Sequence, residues 1–457
     1  TMKGAGRLIL GLLALIWLPP AVGGLNTSSG LYEECLPEPI FEGKVCTVQS
    51  NRTAKVGVIL IHGLNGSVDD WTQTLPALAE HFHVVAFDLP GFGKSDKGSQ
   101  LYSPTAYARL AQFLADRYFS NKDYHIVGHS MGGAIALRFA AQRPLRFQRL
   151  VLLDAAGILH PLVISKFQAG SMVARASGVK QTRGVAERFS GKLLELADKL
   201  PIMPNDIVGS SLGRDVVLSG GPERIAALAL SGEDFSFAVT TVSEPTLILW
   251  GDNDLTVPLR TGEVLAARMP QARLEIIAAA GHEPMKDQTV KVNALILDHL
   301  RADAPVLARQ FPVTPPATSF RSERTASCTD DSDLEFSGDY RSIELRNCSN
   351  VTIRNARIGQ LTLVNSRATL HDSQILGKET ALLVEGSEVT MTNGDISGTT
   401  AIQTVSSRLD LAGVHLQGSA QAVKAYDSKL IFSLSHVTSP HTTGALHDYK
   451  KIDDGVL

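Results

Sequence analysis

Short apolar runs alternate with helix-like segments from about residue 35 to residue 302, and this alternation sets the fold class. Between the runs lie segments with helical spacing, such as residues 105–118 and 131–142. Strands that alternate with helices form a mostly parallel sheet with helices on both faces, so the sequence predicts an α/β domain. The apolar runs typical of buried strands are residues 56–62, 84–88, 125–127, 150–154, 246–250 and 274–277.

A long insertion at about residues 157–243 interrupts the alternation. It contains helix-like pieces, begins after one strand and ends just before the next. This is the position of a helical cap over the strand ends, where it would shape a substrate pocket. The domain then ends at residue 302, and a proline-bearing linker follows at residues 303–327, which we expect to be extended and exposed.

A repeat of about 20 residues organises the region from 328 to 440. Its strands recur without a helical stretch, which is typical of a solenoid whose coils bury their apolar faces on each other. The region resembles a right-handed parallel β-helix, an all-β domain; a leucine-rich repeat is disfavoured because Leu-x-x-Leu-x-Leu is absent. Residues 441–457 are interpreted as a tail. One series of aligned apolar positions is Ile358, Ile375, Ile396, Leu416 and Val437, and the other is residues 351–353, 368–370, 389–391, 409–411 and 430–432.

The first residues predict export. Lys3 and Arg7 precede an apolar run at residues 8–18 that ends in two prolines and small residues, which is the pattern of a secretory signal over residues 1–24. The run is short for a bilayer span, which needs about 20 apolar residues. An uncleaved segment would still form a tilted anchor. We therefore expect a periplasmic or secreted protein, and membrane or envelope association through the N-terminus stays open.

Four cysteines fall into two local pairs, Cys35 with Cys46 and Cys328 with Cys348. In an oxidising compartment the near neighbours would form one disulfide at the start of each domain. Neither pair shows Cys-x-x-Cys spacing or a nearby histidine cluster, so free thiols or a metal site are the weaker alternatives. We predict no metal and no cofactor.

A nucleophile motif lies at Gly128-His129-Ser130-Met131-Gly132, directly after an apolar run and before a helix-like segment. The flanking glycines allow a sharp strand-to-helix turn that exposes the serine oxygen. Serine needs a base, because its hydroxyl is a poor nucleophile near neutral pH. His282 follows the last strand-like run and is the predicted base. His62 and His129 are expected to be structural, with His129 pointing away from the serine.

The order of these groups resembles that of the α/β-hydrolase superfamily, in which an acid lies between the serine and the histidine. By this resemblance Gly251-x-x-Asp254, followed by Pro258, implies that Asp254 orients His282, and that Asp252 is a supporting carboxylate. The resemblance covers roughly residues 55 to 300. It implies an α/β-hydrolase fold with a helical cap, followed here by the C-terminal all-β region.

An oxyanion hole is also expected. Met131 follows the nucleophile and offers its backbone N–H. The superfamily's His-Gly-x motif, matched by His62-Gly63, places the second donor at the backbone of Leu64. The loop at residues 87–95 and Trp71 also resemble superfamily features, and we interpret both as scaffold.

These features predict a serine hydrolase that cleaves carboxylic esters, of esterase or lipase type, acting on a small-molecule or lipid ester. A carbon–carbon bond hydrolase, a cofactor-free haloperoxidase and an acyltransferase share the same catalytic groups and stay open. So does a binding or structural protein with a vestigial hydrolase domain. The net charge of −3, without a basic run, gives no support for nucleic-acid binding. Three alternative roles stay open for the repeat region: it binds a polymer or glycan, it contacts another subunit, or it stabilises the enzyme.

Overall fold

The computed structural model describes residues 30–97, 101–142, 144–168, 221–302 and 322–457. The predicted signal segment lies outside the described residues, as do much of the predicted cap and most of the predicted linker. Of the cap, residues 161–168 and two further segments are described, and all three are helical.

An eight-stranded sheet forms the first region, in the order β1-β2-β4-β3-β5-β6-β7-β8. Strands β3 to β8 are mutually parallel and match the six predicted runs. Strands β1 and β2 were not predicted; they form an antiparallel edge, and their mixed polar and apolar composition lacks a continuous apolar run. The strands are β1 Tyr32–Pro37, β2 Lys44–Ser50, β3 Gly57–Ile61, β4 His83–Phe87, β5 Tyr124–His129, β6 Phe147–Leu153, β7 Thr246–Gly251 and β8 Ala272–Ile277.

Helices cover both faces of this sheet. Alternate residues of each central strand point to opposite layers: Ile59 and Ile61 pack with α2 and α3, whereas Val58 and Leu60 pack with α1 and α8. A short 3₁₀ turn at Val68–Trp71 precedes the first helix. The helices are α1 Thr74–Ala79, α2 Pro104–Phe119, α3 Met131–Ala141, α4 Pro222–Ser231, α5 Ser236–Thr241, α6 Arg260–Arg268, α7 Pro284–Asp287 and α8 Thr289–Arg301.

The C-terminal region is all β and is built mainly from parallel strands. Its strands are β9 Thr325–Thr329, β10 Glu335–Arg346, β11 Val351–Val364, β12 Arg367–Leu376, β13 Thr380–Glu385, β14 Glu388–Val405, β15 Arg408–Ser433, β16 Ser435–Thr438, β17 Thr443–Leu446 and β18 Tyr449–Val456. Most of its buried apolar side chains form a separate cluster.

The predicted repeat register is found in the parallel pairing. Ile358 pairs with Ile375, Ile375 with Ile396, Ile396 with Leu416, and Leu416 with Val437. The second predicted series is also aligned, as when Ala368 pairs with Val389. A third ladder was missed, in which Leu361, Leu382, Ile402 and Val423 pair in turn. The sequence did not reveal this ladder, because β11, β14 and β15 each continue into it as one long strand. No break in the sequence pattern marks where the third ladder begins.

Residues 441–457, interpreted as a tail, contain two strands. Strand β17 pairs antiparallel with β16, and β18 pairs antiparallel with β15. These two strands supply hydrogen-bond partners to β16 and β15. Likewise, β9 begins inside the segment predicted as linker.

Both predicted disulfides are present, Cys35–Cys46 and Cys328–Cys348. The first joins directly opposed residues of β1 and β2, and the second lies near the start of the repeat region. Within the described ranges, no helix combines the length and the apolar composition that crossing a membrane requires.

Helix α6 connects the two regions. Its first residue, Arg260, donates from Nε to Thr392 Oγ1, from one terminal nitrogen to Asp410 Oδ2 and from the other to the Met391 carbonyl, each at 2.7 Å. A second ion pair joins Lys166 to Glu388 at 2.9 Å. Three apolar residues of the C-terminal region, Ala412, Ile431 and Leu434, also belong to the apolar cluster of the first region. The two regions therefore share a packed seam.

Candidate active site

Ser130 lies between β5 and α3, at the N-cap position of the helix, with φ 53° and ψ −121°. Such a positive φ is costly for a residue with a side chain and persists where surrounding structure enforces it. The neighbouring glycines are sterically required: a Cβ on Gly128 would lie 2.2 Å from the Gly132 carbonyl oxygen, and one on Gly132 would lie 2.2 Å from that of Ile61. The predicted strand–turn–helix elbow is therefore present.

His282 bridges Ser130 and Asp254. Its Nε2 lies 2.9 Å from Ser130 Oγ, and its Nδ1 lies 2.7 Å from Asp254 Oδ2. The three residues come from the ends of β5, β7 and β8, which meet at the carboxyl edge of the sheet. The structure thus brings together the three side chains that the sequence singled out.

Asp254 is held as a carboxylate. Its Oδ1 accepts hydrogen bonds from the N–H groups of Thr256 at 2.7 Å and Val257 at 3.0 Å. Burial alone would raise the pKa of Asp254, but the hydrogen bond and charge of His282, with these two N–H groups, lower it below its ordinary value. Asp254 can therefore remain charged beside the imidazole.

Asp252 contacts a different part of the site. Its side chain is exposed, and its Oδ1 accepts from the Asn253 amide at 2.8 Å and from the Ala280 N–H at 3.3 Å. It therefore braces the loop that carries His282 but makes no contact with the imidazole that the structure records. Asp254, and not Asp252, is hydrogen-bonded to the His282 imidazole.

The loop after β3 lies against the nucleophile. A Cβ added to Gly63 would come within 3.0 Å of Ser130 Cβ. His62 shapes this loop: its Nε2 accepts from the Leu89 N–H at 2.9 Å, so its Nδ1 carries the proton and donates to the Gly63 carbonyl at 2.7 Å. This hydrogen bond fixes the Gly63 carbonyl against His62. The N–H of Leu64 belongs to the same peptide group, so its orientation is fixed as well.

Met131 is the first residue of α3 and is fully buried. The first N–H groups of a helix have no partner within the helix and point out of its N-terminus. Leu64 and Met131 therefore flank Ser130 from the two elements predicted to supply oxyanion donors. Asp88 braces the same surroundings, because it is buried and accepts from the Val68 and Lys94 N–H groups at 2.8 and 2.7 Å.

His129 has a contact that the sequence did not reveal. Its Nε2 lies 2.6 Å from the carbonyl oxygen of His282. Burial, together with the neighbouring His282, lowers the pKa of His129 to about 3. The ring is therefore neutral, and Nε2 must carry the proton that it donates. His129 points away from Ser130 as expected, yet it ties the elbow to the backbone of the His282 loop.

Potential metal ligands cluster at one place among the described residues. The one group whose ligand atoms approach each other is Asp154, Asp254 and His282, within 4.8 Å. Two of these already form the hydrogen-bonded chain with Ser130. Their donors and acceptors are used within the protein, so the group does not by itself define a cation site.

Comparison with known proteins agrees with this architecture. Residues 57–289 match the family described as alpha/beta hydrolase fold, and the chain belongs to that family. An uncharacterized protein of Mycobacterium tuberculosis is 29% identical over 255 residues, which span 51% of this chain and 72% of that protein. The monoacylglycerol lipase abhd6-B of Xenopus laevis is 29% identical over 272 residues, spanning 56% of this chain and 79% of the lipase. A solved thermophilic esterase from Thermogutta terrifontis is 24% identical with a TM-score of 0.43, covering 59% of this chain and 98% of its own.

Proposed function

We propose that this protein is a serine hydrolase that cleaves carboxylic esters through an acyl-enzyme intermediate. The observation that carries the proposal is the hydrogen-bonded chain from Ser130 Oγ through His282 to Asp254. That chain matches the requirements of nucleophilic acyl transfer: a nucleophile, a base within hydrogen-bond reach, and an acid that fixes the base. The name of the Xenopus relative, a monoacylglycerol lipase, supports an ester of a lipid or small molecule as substrate.

In the proposed reaction, Ser130 Oγ attacks the ester carbonyl carbon while His282 Nε2 takes the hydroxyl proton. The carbonyl oxygen becomes an oxyanion, which the N–H groups of Leu64 and Met131 stabilise. When the tetrahedral intermediate collapses, the carbon–oxygen bond to the alcohol breaks and His282 returns its proton to the leaving oxygen. Water, deprotonated by His282, then attacks the acyl carbon; as the bond to Ser130 Oγ breaks, His282 returns that proton to Oγ and the acid leaves. Asp254 keeps Nδ1 protonated and stabilises the imidazolium.

The substrate class can be tested with purified protein and p-nitrophenyl esters of increasing acyl length, together with a monoacylglycerol. We expect turnover that depends on acyl length, with a burst of p-nitrophenol when deacylation is slow. Inactivity on every ester, combined with cleavage of a ring-fission diketone, would contradict ester hydrolysis and favour the carbon–carbon bond hydrolase.

The C-terminal region is proposed to be a right-handed parallel β-helix that stabilises the hydrolase region. Its three stacked parallel ladders support the first part, and the contacts of Arg260 at the seam support the second. Binding of a polymer, a glycan or another subunit would use its remaining exposed face.

An oxidising, exported location is also proposed. Its support is the pair of disulfides, Cys35–Cys46 and Cys328–Cys348, because such bonds persist in oxidising compartments. Peptide mapping without reductant, on protein from its natural source, should recover both linked pairs. Four alkylatable thiols in that protein would contradict the location.

A further inference from the structure

Asp154 is a buried acid beside the site to which the proposed reaction gives no role. It follows β6 directly, has no exposed surface, and adopts a φ of 43°. A positive φ at a non-glycine residue is a local cost that the surrounding structure must impose. The main-chain turn at the end of β6 therefore aims this carboxyl group into the interior next to the ends of β5 and β7.

The two oxygens of Asp154 have unequal surroundings. Oδ1 accepts a hydrogen bond from the Gly251 N–H at 3.0 Å. Oδ2 is buried and meets no N–H or hydroxyl donor in the part of the chain that the structure describes. Burying a charged carboxylate oxygen without a hydrogen-bond donor costs free energy. The protonation state of Asp154 therefore depends on the other group that its carboxyl faces.

That group is the carboxyl of Asp254. Oxygens of Asp154 and Asp254 and a ring nitrogen of His282 all lie within 4.8 Å of one another. Two buried carboxylates this close repel each other, and a proton on one of them removes the repulsion and lets the two groups share a hydrogen bond.

The donors around each acid decide where the proton resides. Asp254 receives three: His282 Nδ1, the Thr256 N–H and the Val257 N–H. Among the described residues, Asp154 receives only the Gly251 N–H. The negative charge is therefore stabilised on Asp254 and the proton on Asp154. In agreement, burial first and the charge of Asp254 second raise the pKa of Asp154 well above its ordinary value.

We propose that Asp154 is a positioning residue which, as a neutral carboxylic acid, donates its proton in a hydrogen bond to the Asp254 carboxylate and holds that carboxylate against His282. The neutral acid explains why Oδ2 needs no outside donor. The kinetic part of this inference rests on the proposed function, whereas the protonation of Asp154 does not.

The pH dependence of the melting temperature tests the protonation of Asp154 directly. The titratable groups that face Asp154 are Asp254 after β7, His282 after β8 and Asp287 on α7. In the unfolded chain an aspartate ionises at a pKa of about 3.9. An acid whose pKa is higher in the folded state stabilises the folded state at pH values below its unfolded-state pKa. This stabilisation is lost as the pH rises from the unfolded-state pKa toward the folded-state pKa.

Asp154→Asn has the same shape, can donate from its amide to Asp254, and cannot ionise. We therefore expect the melting temperature of full-length Asp154→Asn, relative to the wild type, to increase steadily between about pH 4 and pH 7. Asp252→Asn is the matched control, since Asp252 is exposed in the same loop system, and its difference from wild type should not rise in this way. A constant or falling difference for Asp154→Asn would overturn the proposal.

Ester kinetics test the positioning role. Asp154→Ala removes the donor and should lower kcat at least about tenfold with KM little changed, since Asp254 would lose a partner that fixes its orientation. Asp154→Asn should restore most of kcat and keep the acidic limb of the pH profile where the wild type has it. Equal losses in both variants would contradict the donor role. If no variant or wild type hydrolyses esters while the melting pattern holds, the proposed function fails and the neutral Asp154 stands.

Discussion

The hydrolase region, built on strands β1 to β8, and the C-terminal region, built on strands β9 to β18, both contain parallel strands. They differ in which polar residues lie at the strand ends. In the hydrolase region, β5, β7 and β8 each deliver one unlike side chain to a single place, Ser130, Asp254 and His282. In the C-terminal region the same kind of residue recurs coil after coil. Three unlike side chains that meet at one place can act together in a reaction. Like side chains that recur in every coil instead stabilise the stack of coils.

Buried serines show the repetition clearly. Ser366 N–H donates to Ser387 Oγ, Ser387 N–H to Ser407 Oγ, and Ser407 N–H to Ser428 Oγ. Each hydroxyl in turn donates to a carbonyl two residues earlier, as Ser387 does to Glu385. In this ladder a backbone N–H of one coil is therefore paired with a serine hydroxyl of the next coil, and the same contact recurs along the stack.

Left-handed residues differ between the regions in the same way. In the C-terminal region they recur at one corner of successive coils, at Asn347, Asn365, Gly386, Ser406 and Asp427. These are mostly residue types that tolerate a positive φ. Around the proposed site they occur singly in the loops after different strands, at Asn65, Ser130, Asp154 and Ala279. Each positive φ there belongs to one turn and is not part of a repeat.

The largest expected effect is on the nucleophile and its base. Ser130→Ala and His282→Ala should each lower kcat by at least about 10⁴-fold, and the double variant should be only slightly worse, because the two residues act as one unit. Circular dichroism should show that each variant is folded. Additive losses in the double variant would mean that the two residues act independently.

Removing the charge of the orienting acid should be nearly as damaging. Asp254→Asn should lower kcat by about 10⁴-fold, since the amide cannot hold Nδ1 of His282 in its protonated form. The neighbouring Asp252→Asn should cost much less, because Asp252 meets only the Asn253 amide and the Ala280 N–H. The reverse ranking in steady-state ester assays would move the orienting role to Asp252.

At the seam the effect should appear in stability. Arg260→Ala leaves Asp410, whose side chain is only 12% exposed, without its ionic partner. We expect a loss of about 3 kcal/mol in the free energy of unfolding, the range found when one member of a buried pair is removed. Arg273→Ala is the matched control, because the Arg273 side chain is 33% exposed and its partners Glu275 and Asp298 lie near the surface. Equal losses for the two variants would mean that the seam contributes no more than a surface pair.

The smallest expected effect concerns one rung of the serine ladder. Ser387→Ala would leave the buried Ser366 N–H without an acceptor, at a cost of about 1–3 kcal/mol. Ser419→Ala, at an exposed position of β15, provides the comparison. Urea unfolding should separate the two variants, and indistinguishable midpoints would show that the ladder contributes nothing to stability.

The sequence singled out three side chains that the structure brings together, whereas it did not specify the edges of the fold. The glycines around Ser130, the acid loop ending at Asp254 and the position of His282 after the last strand carry local patterns that a single chain displays. The antiparallel edge β1–β2, the third ladder of the C-terminal region and the closing strand β18 depend on which strands meet in space, and their local composition does not specify that. Asp154 also lay at the end of a predicted strand, but only its contact with Asp254 reveals its importance.

His129 shows the same limit at the scale of one side chain. Its place within the elbow correctly predicted that it points away from Ser130. Its partner, the carbonyl of His282, is 153 residues away in the chain. A contact of that separation follows from the sheet order, in which β5 and β8 end at the same edge, and from no local motif.

The central claim is that Ser130 is a nucleophile activated by His282, and labelling with a serine-directed phosphonate tests it most directly. We predict one label per chain, mapped by peptide mass spectrometry to Ser130. The rate of labelling should fall by several orders of magnitude, about 10⁴-fold or more, in His282→Ala, and no label should appear in Ser130→Ala. Labelling of Ser130→Ala at the wild-type rate, or a label found on another residue, would contradict the claim.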